Sequence, residues 1–491
     1  MAGLLALSVA WVFGNTPFGS PDETQHYLRA IGVGEGHVIG RKVPYAARGL
    51  TRAQLAWVEQ ASREVHVPNR LGPSNSDCAA QHADASAACT AHVVLTPAAD
   101  VPVQVGNYQP LPYVLPGVAI LRATSPVSAL FAGRVASLLA TLPFLLGGVA
   151  ALTLRRRSAA AAVGVGLAVT PMVLYVMASV NPSGMEIAAG FAFVAFGFRL
   201  AEQPSRLTWA AVGVTGFVLG ISRSPGAVWV VALSALVVLW HGPKRAVGLV
   251  ADWKLPASFT AGALTLGVVL NRSWEALYGS HIQSVTPGAA EAVHTARALL
   301  PIMTREAIGV FGYLNVSLPS VAYGLWEVML VGVSVAAVVL SSRYRRLVII
   351  AATLALIALP AIQYFYVTTT TGYPVQARHL LPVFVVFPII AAEGLRRSSS
   401  EWAPALSRWS ALLLIPIAGL NAVAWWTNAR RAAVGRGGAR AFFLSASWHP
   451  PLGWYPWVIL AALGAALIAL SGFVYFAAEG PRGLGAVDPS S

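Results

Sequence analysis

Apolar runs of about 17–22 residues recur along most of the chain, close to the ~20 that a helix needs to cross a bilayer. Their spacing predicts transmembrane helices at 126–154, 159–178, 183–200, 208–222, 225–241, 257–274, 323–340, 346–367, 379–395, 408–426 and 456–476. A first apolar run, 4–13, is shorter and is read as a first span whose start is clipped, which makes twelve. No period-two alternation of the kind that builds a membrane β-barrel is present. The expected fold is therefore an all-α polytopic membrane protein: a first helix at 1–14, a polar loop domain at 15–110, a helix bundle at 111–476 with outer loops at 275–322 and 427–455, and a cytoplasmic tail at 477–491.

Within the loop domain, residues 51–65 read as an amphipathic helix, with Leu55, Val58 and Ser62 on one side and Arg52, Glu59 and Arg63 on the other. Residues 107–122 are apolar but interrupted by Pro110, Pro112 and Pro116, which suits a kinked or re-entrant segment.

Composition agrees with this pattern. Hydrophobic residues make up 56% and charged residues 11% of the chain, against about 25% charged in soluble domains. The net charge of +14 is almost all arginine, since lysine occurs only at 42, 244 and 254. These charges are scattered between apolar spans, so no nucleic-acid partner is expected. The Arg155, Arg156 and Arg157 cluster marks a cytoplasmic end. The 15–110 loop then lies outside the cytoplasmic (inner) membrane, and Arg206, Lys244, Arg245, Arg343, Arg345, Arg346, Arg396, Arg397 and Arg408 all fall inside. The 427–455 loop breaks the rule with Arg430, Arg431, Arg436 and Arg440 on the outer side. Cytoplasmic loops are short and carry no GxxxxGK[ST] or dinucleotide fingerprint, which disfavours an ATP-driven pump.

Cys78 and Cys89 lie in the outer loop, where a disulfide is expected, stabilising by roughly 3 kcal/mol. His82 and His92 interleave with them at a spacing that matches no common zinc site. There is no clear DxD, so no cofactor is expected and a divalent metal has no motif to hold it.

Candidate chemistry concentrates at residues 15–30. Asp22, His26 and Arg29 stand at i, i+4 and i+7, so one helical face carries an acid, an imidazole and a guanidinium. Such a group at a membrane surface suits proton removal and phosphate binding. The plainer reading is a helix start: Ser20 as cap, Pro21 at the first position, and acids in the first turn. Asp22 and Glu23 diverge by ~100° on a helix, so Asp22 is expected as base and Glu23 as its support. Arg134 stands inside an apolar span at a cost of ~2.5–3.5 kcal/mol, so it faces a cavity or a partner, or snorkels to the interface. Arg29, Arg134, Arg378 and the 430–440 arginines are the candidate phosphate ligands; Arg223, beside a tight turn, reads as structural. Asn181 and Pro182 open a helix whose first turn holds Glu186, either for the helix dipole or as a partner of Arg134 or of an acceptor hydroxyl. Asn107 and Tyr108 are candidate polar contacts at the outer surface, and Tyr108 equally an interfacial belt residue; Trp425, Trp426, Trp448, Trp454 and Trp457 read mostly as that belt.

Five segments in order, PDETQHYLRA, NYQPLPYVL, SVNPSGMEIA, GVFGYLNVSLP and QARHLLP, resemble a family of bacterial predicted membrane proteins, domain-of-unknown-function family 2142. The similarity covers nearly the whole chain. That family is similar in layout to the GT-C glycosyltransferases, which carry an acid near the start of a large first outer loop and use polyprenyl-phosphate-linked sugars. The resemblance implies an inverting transfer of sugar to a cell-envelope glycan or lipid, with Asp22 or Glu23 as catalytic carboxylate. It adds Arg378 and His379 at the donor phosphate and Asn315 at the substrate, and for such a donor His26, Asn107, Tyr108, Asn181 and Glu186 are the residues expected around the substrate. Two positions depart from the pattern: Ala377, Arg378 and His379 stand where Gly-Arg-Tyr is usual, and Asn315 replaces an aspartate. A transporter or flippase of a lipid-linked or anionic substrate, or a non-catalytic scaffold of the same fold, are the competing expectations.

Overall fold

A computed structural model describes residues 1–45, 49–72, 78–80, 82–92, 97–154, 158–280, 289–371, 373 and 376–479. The Arg155, Arg156 and Arg157 cluster and the tail from residue 480 lie outside these. The chain opens with α1 (Ala2–Gly14) and α2 (Glu23–Gly34), then α3 (Arg52–Ala61). Thr51 and Gln54 close a reciprocal capping box at the start of α3. The amphipathic helix expected over 51–65 stops at Ala61. Residues Arg63–Val67 alternate in burial and form strand β1, antiparallel to β2 (Ala99–Val103) with Arg63 opposite Val103. A proline-rich 3-10 turn, Leu111–Tyr113, leads into the short helix α4 (Val114–Leu121), as the interrupted 107–122 pattern implies.

The bundle follows: α5 (Pro126–Thr153), α6 (Ala159–Ala168), α7 (Pro171–Met177), α8 (Pro182–Leu200), α9 (Arg206–Ser222), α10 (Gly226–His241), α11 (Pro243–Asp252) and α12 (Lys254–Tyr278). Next come α13 (Ala289–Gly309), the hairpin β3 (Val310–Phe311) and β4 (Val316–Ser317), α14 (Ser320–Leu340) and α15 (Arg343–Thr371). The chain closes with α16 (Leu381–Phe384), α17 (Val386–Arg396), α18 (Ala403–Ser410), α19 (Leu414–Val434) and α20 (Tyr455–Ala478). Each segment expected to span is mainly helical. Among the described residues, six helices are long and apolar enough to cross a membrane, and eight if each bent pair is one span. Twelve is therefore not established. Pro171 breaks α6 from α7 at 60°, Gly242 and Pro243 turn α11 from α10 by 99°, and α1 and α9 are short.

The outward faces suit lipid: on α14, Val321, Val328, Val331, Val335 and Val339 are all exposed along one stripe. Inward contacts rest on small residues. At Gly3 an added Cβ would lie 2.7 Å from the Gly464 carbonyl, so α1 and α20 touch backbone to backbone. One end of the bundle is tied by arginines. Arg396 reaches Glu393 at 2.7 Å, Arg396 and Arg397 both pair with Glu202, Arg345 donates to the Arg397 carbonyl and Arg245 to that of Ala201. Four of the nine residues expected on one membrane face, Arg245, Arg345, Arg396 and Arg397, thus gather at one end.

The loop domain lies at the other end. Two of the 427–455 arginines tie into it: Arg431 donates to Thr16 Oγ1 and to the Ala79 and His82 carbonyls, and Arg436 pairs with Asp84. Their excess charge answers first-loop acceptors. The tryptophans expected as a belt are partly core instead. Trp425 and Trp454 are buried, Trp425 donates to the Ala10 carbonyl, and Trp457 stacks on Phe13 at 3.8 Å. Cys78 and Cys89 are disulfide-bonded, as expected.

The α2 and α4 helices meet at Gly34 and Gly117, where a Cβ on Gly117 would fall 2.2 Å from the Ala30 carbonyl. Gly117→Ala should therefore cost about 1–3 kcal/mol, read as a lowered thermal unfolding midpoint of the detergent-solubilised protein. An unchanged midpoint would mean that this contact does not hold the loop domain to the bundle.

Candidate functional site

Two adjacent acids divide at the start of α2. Asp22 is the residue ahead of the helix, held in the left-handed region at φ 60° and ψ 10°, and Glu23 is the first helical residue. Aspartate tolerates that conformation better than most side chains. The two carboxylates then point apart. Glu23 turns inward to Arg134, and both side chains are fully buried. Arg134 donates Nε to Glu23 Oε1 at 2.8 Å and Nη2 to Oε2 at 2.6 Å, and also reaches the Asn15 and Thr16 carbonyls at 2.9 and 2.7 Å. The Val180 amide donates to the same carboxylate at 3.1 Å. This ion pair pins the end of α1, the start of α2 and the approach to α8 onto α5.

Asp22 turns the other way, into a cluster open enough to leave its side chain 37% exposed. Arg378 pairs with Oδ2 and donates to the Pro21 carbonyl at 3.0 Å; its Nε has no partner among the described residues. Arg378 stands in a 3-10 turn, Ala377–His379, whose Ala377 amide is held by Glu306 of α13 at 2.9 Å. Tyr313, at the tip of the β3–β4 hairpin, donates to Asp22 Oδ1 at 3.4 Å. Gly312 and Leu314, both at φ 60°, make the tight turn that delivers it. Burial alone would raise the Asp22 carboxyl. The Arg378 charge and the hydrogen bonds from Arg378 and Tyr313 outweigh burial and hold it below the ordinary carboxylate range.

One turn along α2, the buried His26 shares a 2.8 Å hydrogen bond with the Tyr113 hydroxyl and packs beside the Tyr108 ring. Burial, opposed by the Asp22 charge, pushes its pKa down to about 3, so the imidazole is neutral. Burial together with the Arg223 and Arg378 charges likewise lowers His379. Arg223 completes the group from the α9–α10 turn, 5.9 Å from the Tyr108 ring centre. It donates to Ser183 Oγ at 3.1 Å and contacts Glu186 at 3.4 Å. The site thus holds two guanidinium groups, each matched by a carboxylate, with two neutral imidazoles and a rim of phenols.

Several expected members stand elsewhere. Arg134 cannot take a phosphate, because Glu23 and backbone carbonyls occupy it. Glu23 is likewise not beside Asp22 as a catalytic support. Arg29 is buried in the loop-domain core, donating to the Val38 and Tyr108 carbonyls, rather than sharing the Asp22 face. Glu186 pairs with Arg223 and not with Arg134. Asn181 caps α8 by accepting from the Ser183 amide. Asn107 ties the end of α12 through the Tyr278 carbonyl and Trp274. Asn315 donates to the Ala80 carbonyl, on the disulfide-closed segment. Arg430 donates to the Gly438 carbonyl beside its own helix. Asp22, His26, Tyr108, Arg378 and His379 do come together, and Glu186 joins them through Arg223. Tyr313, Tyr113 and Glu306 were missed, and Arg223 was read as structural. Tyr313 stands in the GYLN segment between Gly312 and Leu314, where no helical or strand periodicity points it at the site. Among the described residues, no group of three or more His, Cys, Asp or Glu is placed to hold a metal ion.

A family model described as "Predicted membrane protein (DUF2142)" matches residues 5–387. No curated protein sequence matches the chain significantly. Among solved structures, the chain is similar to ArnT from Cupriavidus metallidurans bound to undecaprenyl phosphate, at 15% identity and a TM-score of 0.42, covering 96% of this chain and 76% of that one. ArnT in the apo state is similar at 16% identity and a TM-score of 0.34, with 86% and 76% covered.

The division of labour between the two acids predicts opposite responses. Glu23→Gln leaves Arg134 buried without its counter-charge and should cost about 3–5 kcal/mol of unfolding free energy, whereas Asp22→Asn should cost less, its carboxylate being 37% exposed although the Arg378 side chain is largely buried. Denaturant unfolding in detergent measures both, and equal costs would contradict the division. A second expectation concerns acid. The unfolded chain binds a proton at His26 near its ordinary pKa of 6.5, while the folded chain resists protonation to about 3. Stability should therefore fall as pH drops from 6.5 towards 3, by up to about 1.4 kcal/mol per pH unit from this group. The Asp22 contribution, present above its unfolded pKa, is lost only at lower pH, as the carboxylate protonates. His26→Gln should flatten the slope between pH 6 and 4, and an unchanged slope would assign the acid sensitivity elsewhere.

Proposed function

The chain belongs to the DUF2142 family of predicted membrane proteins, and on that premise we propose that it is a GT-C-type inverting glycosyltransferase. It takes a sugar from a polyprenyl-phosphate donor and passes it to a cell-envelope glycan or lipid hydroxyl. The site works on the outer side of the cytoplasmic membrane. The observation that carries this reading is the pairing of Asp22 with Arg378 at the loop end of a membrane bundle, with the Asp22 side chain partly open to solvent.

Asp22 is the general base. It takes the proton from the acceptor hydroxyl as that oxygen attacks the anomeric carbon. The bond from that carbon to the phosphate oxygen breaks, and polyprenyl phosphate leaves with the electron pair and one more negative charge. A single displacement with one base inverts the sugar carbon. Arg378, with Arg223 deeper in the cluster, offers the charge that stabilises the departing phosphate. His26 and His379, both neutral, offer hydrogen bonds without adding charge.

A lipid donor also needs room for its tail. An apolar cavity of about 520 Å³ runs between α10, α15 and α17. Its lining includes Val383, four residues past His379, together with Ala232, Leu236, Ala352 and Phe387. The substitution at Asn315 does not argue for a silent scaffold, since that side chain serves the loop contact at Ala80 rather than the cluster. A transport reading gains no comparable support, because the buried Glu23–Arg134 and Glu186–Arg223 pairs are matched internally near helix ends.

The test is transfer from a radiolabelled polyprenyl-phosphate sugar to envelope glycan in proteoliposomes. Asp22→Asn should reduce transfer by at least about 10³-fold, and Arg378→Gln by about 10²-fold or more, with both variants folded. Full transfer by folded Asp22→Asn would refute the assignment of the base.

A further inference from the structure

Among the described residues, both guanidinium groups of the site are already engaged. Arg378 is engaged by Asp22 and the Pro21 carbonyl, and Arg223 by Glu186 and Ser183. The same carboxylate that must accept the acceptor proton is bound to the guanidinium that must hold the donor phosphate. Both tasks cannot be met at once in the arrangement seen. One Arg378 nitrogen, Nε, is buried and has no partner among the described residues. Tyr313 meets the other Asp22 oxygen from a separate element, a hairpin tied through Asn315 to Ala80.

We propose that Arg378 is exchanged between Asp22 and the donor phosphate: phosphate binding draws the guanidinium off the carboxylate and frees Asp22 as base, while Tyr313 keeps the freed carboxylate aimed. This rests on the proposed donor class and adds an order to the reaction, in which the donor must bind before the acceptor hydroxyl can be activated. It also protects the site. Without donor, Asp22 is a charge-neutralised carboxylate and a poor base. With donor, it loses its counter-charge and gains a neighbouring anion, and both changes strengthen it as a base.

The groups around Asp22 fix what a titration would report. They are Arg378 from the 3-10 turn, Tyr313 from the hairpin, His26 from α2, Tyr113 ahead of α4, and Tyr373 just before the turn. Glu306 faces Arg378 from α13, and Arg223 faces His26 from the α9–α10 turn. Tyr113, Tyr313 and Tyr373 are all pushed upward by burial and stay neutral. The exchange therefore predicts that binding an anion raises the proton affinity of one carboxylate, Asp22.

The experiment is calorimetric titration of the full chain in nanodiscs with a polyprenyl methyl phosphodiester. This probe cannot transfer a sugar and remains a monoanion throughout. Runs near pH 5 in two buffers of different ionisation enthalpy give the number of protons taken up per molecule bound. The expected result is uptake approaching about one proton, abolished in Asp22→Asn, whose asparagine tolerates the left-handed backbone at this position. In Tyr313→Phe, loss of a hydrogen bond to the carboxylate should move the uptake to higher pH while binding is kept. Binding by the wild type without proton uptake overturns the exchange and leaves the proposed function standing. Uptake that persists in Asp22→Asn also overturns it, assigning the proton to Glu306 or Glu186. No binding at all removes both the exchange and the lipid-phosphate donor.

Discussion

The buried pair between Glu23 and Arg134 is the interaction on which the site depends. A guanidinium within an apolar helix is tolerable only if every donor is answered, and here one carboxylate and the carbonyls at the end of α1 answer it. Satisfying Arg134 fixes where α2 begins and which way its first residue points. Once Glu23 is committed inward, Asp22, held at φ 60° just ahead of the helix, points away from it. Asp22 is thus presented to the cluster by the commitment of the residue beside it. Replacing such a pair with apolar residues is often neutral for stability, so its value here lies in orientation.

The cluster that results is balanced in charge without any ligand. Arg378 has Asp22, Arg223 has Glu186, and His26 is kept neutral by burial. An arrangement of this kind neither attracts stray anions strongly nor presents a free base. The elements that build it come from distant parts of the chain: α2, the turn ahead of α4, the α9–α10 turn, the β3–β4 hairpin and the turn before α16. The disulfide-closed segment braces the rear of the hairpin through Asn315 and is itself clamped onto α19 by Arg431. The loop domain, the hairpin and the bundle turns therefore form one frame around the Asp22 side chain.

Much of this was legible in the sequence. Hydrophobic run length located the helices because lipid imposes one length on them, and arginine placement correctly gathered Arg345, Arg396 and Arg397 at one end. The number of true crossings was not legible, since Pro171 and Pro243 bend apolar helices without changing their hydropathy. Helical periodicity put Asp22 and His26 on one face, and both reach the cluster. It put Arg29 there as well, but carbonyls at Val38 and Tyr108 in the loop-domain core draw that side chain away. Arg134 was recognised as needing a partner, yet Glu23 and Glu186 are alike as acids, and only tertiary packing decides that Glu23 takes Arg134 while Glu186 takes Arg223. Tyr313 was hidden because a tyrosine in a short polar turn has no periodicity to place it.

A structure of the protein in nanodiscs with bound polyprenyl phosphate tests the central claim most directly. The account predicts the phosphate within hydrogen-bond reach of Arg378, the tail leading toward Val383, and the Arg378 guanidinium withdrawn from Asp22. A phosphate bound at the opposite, arginine-tied end of the bundle, with the Asp22–Arg378 pair intact, would contradict it.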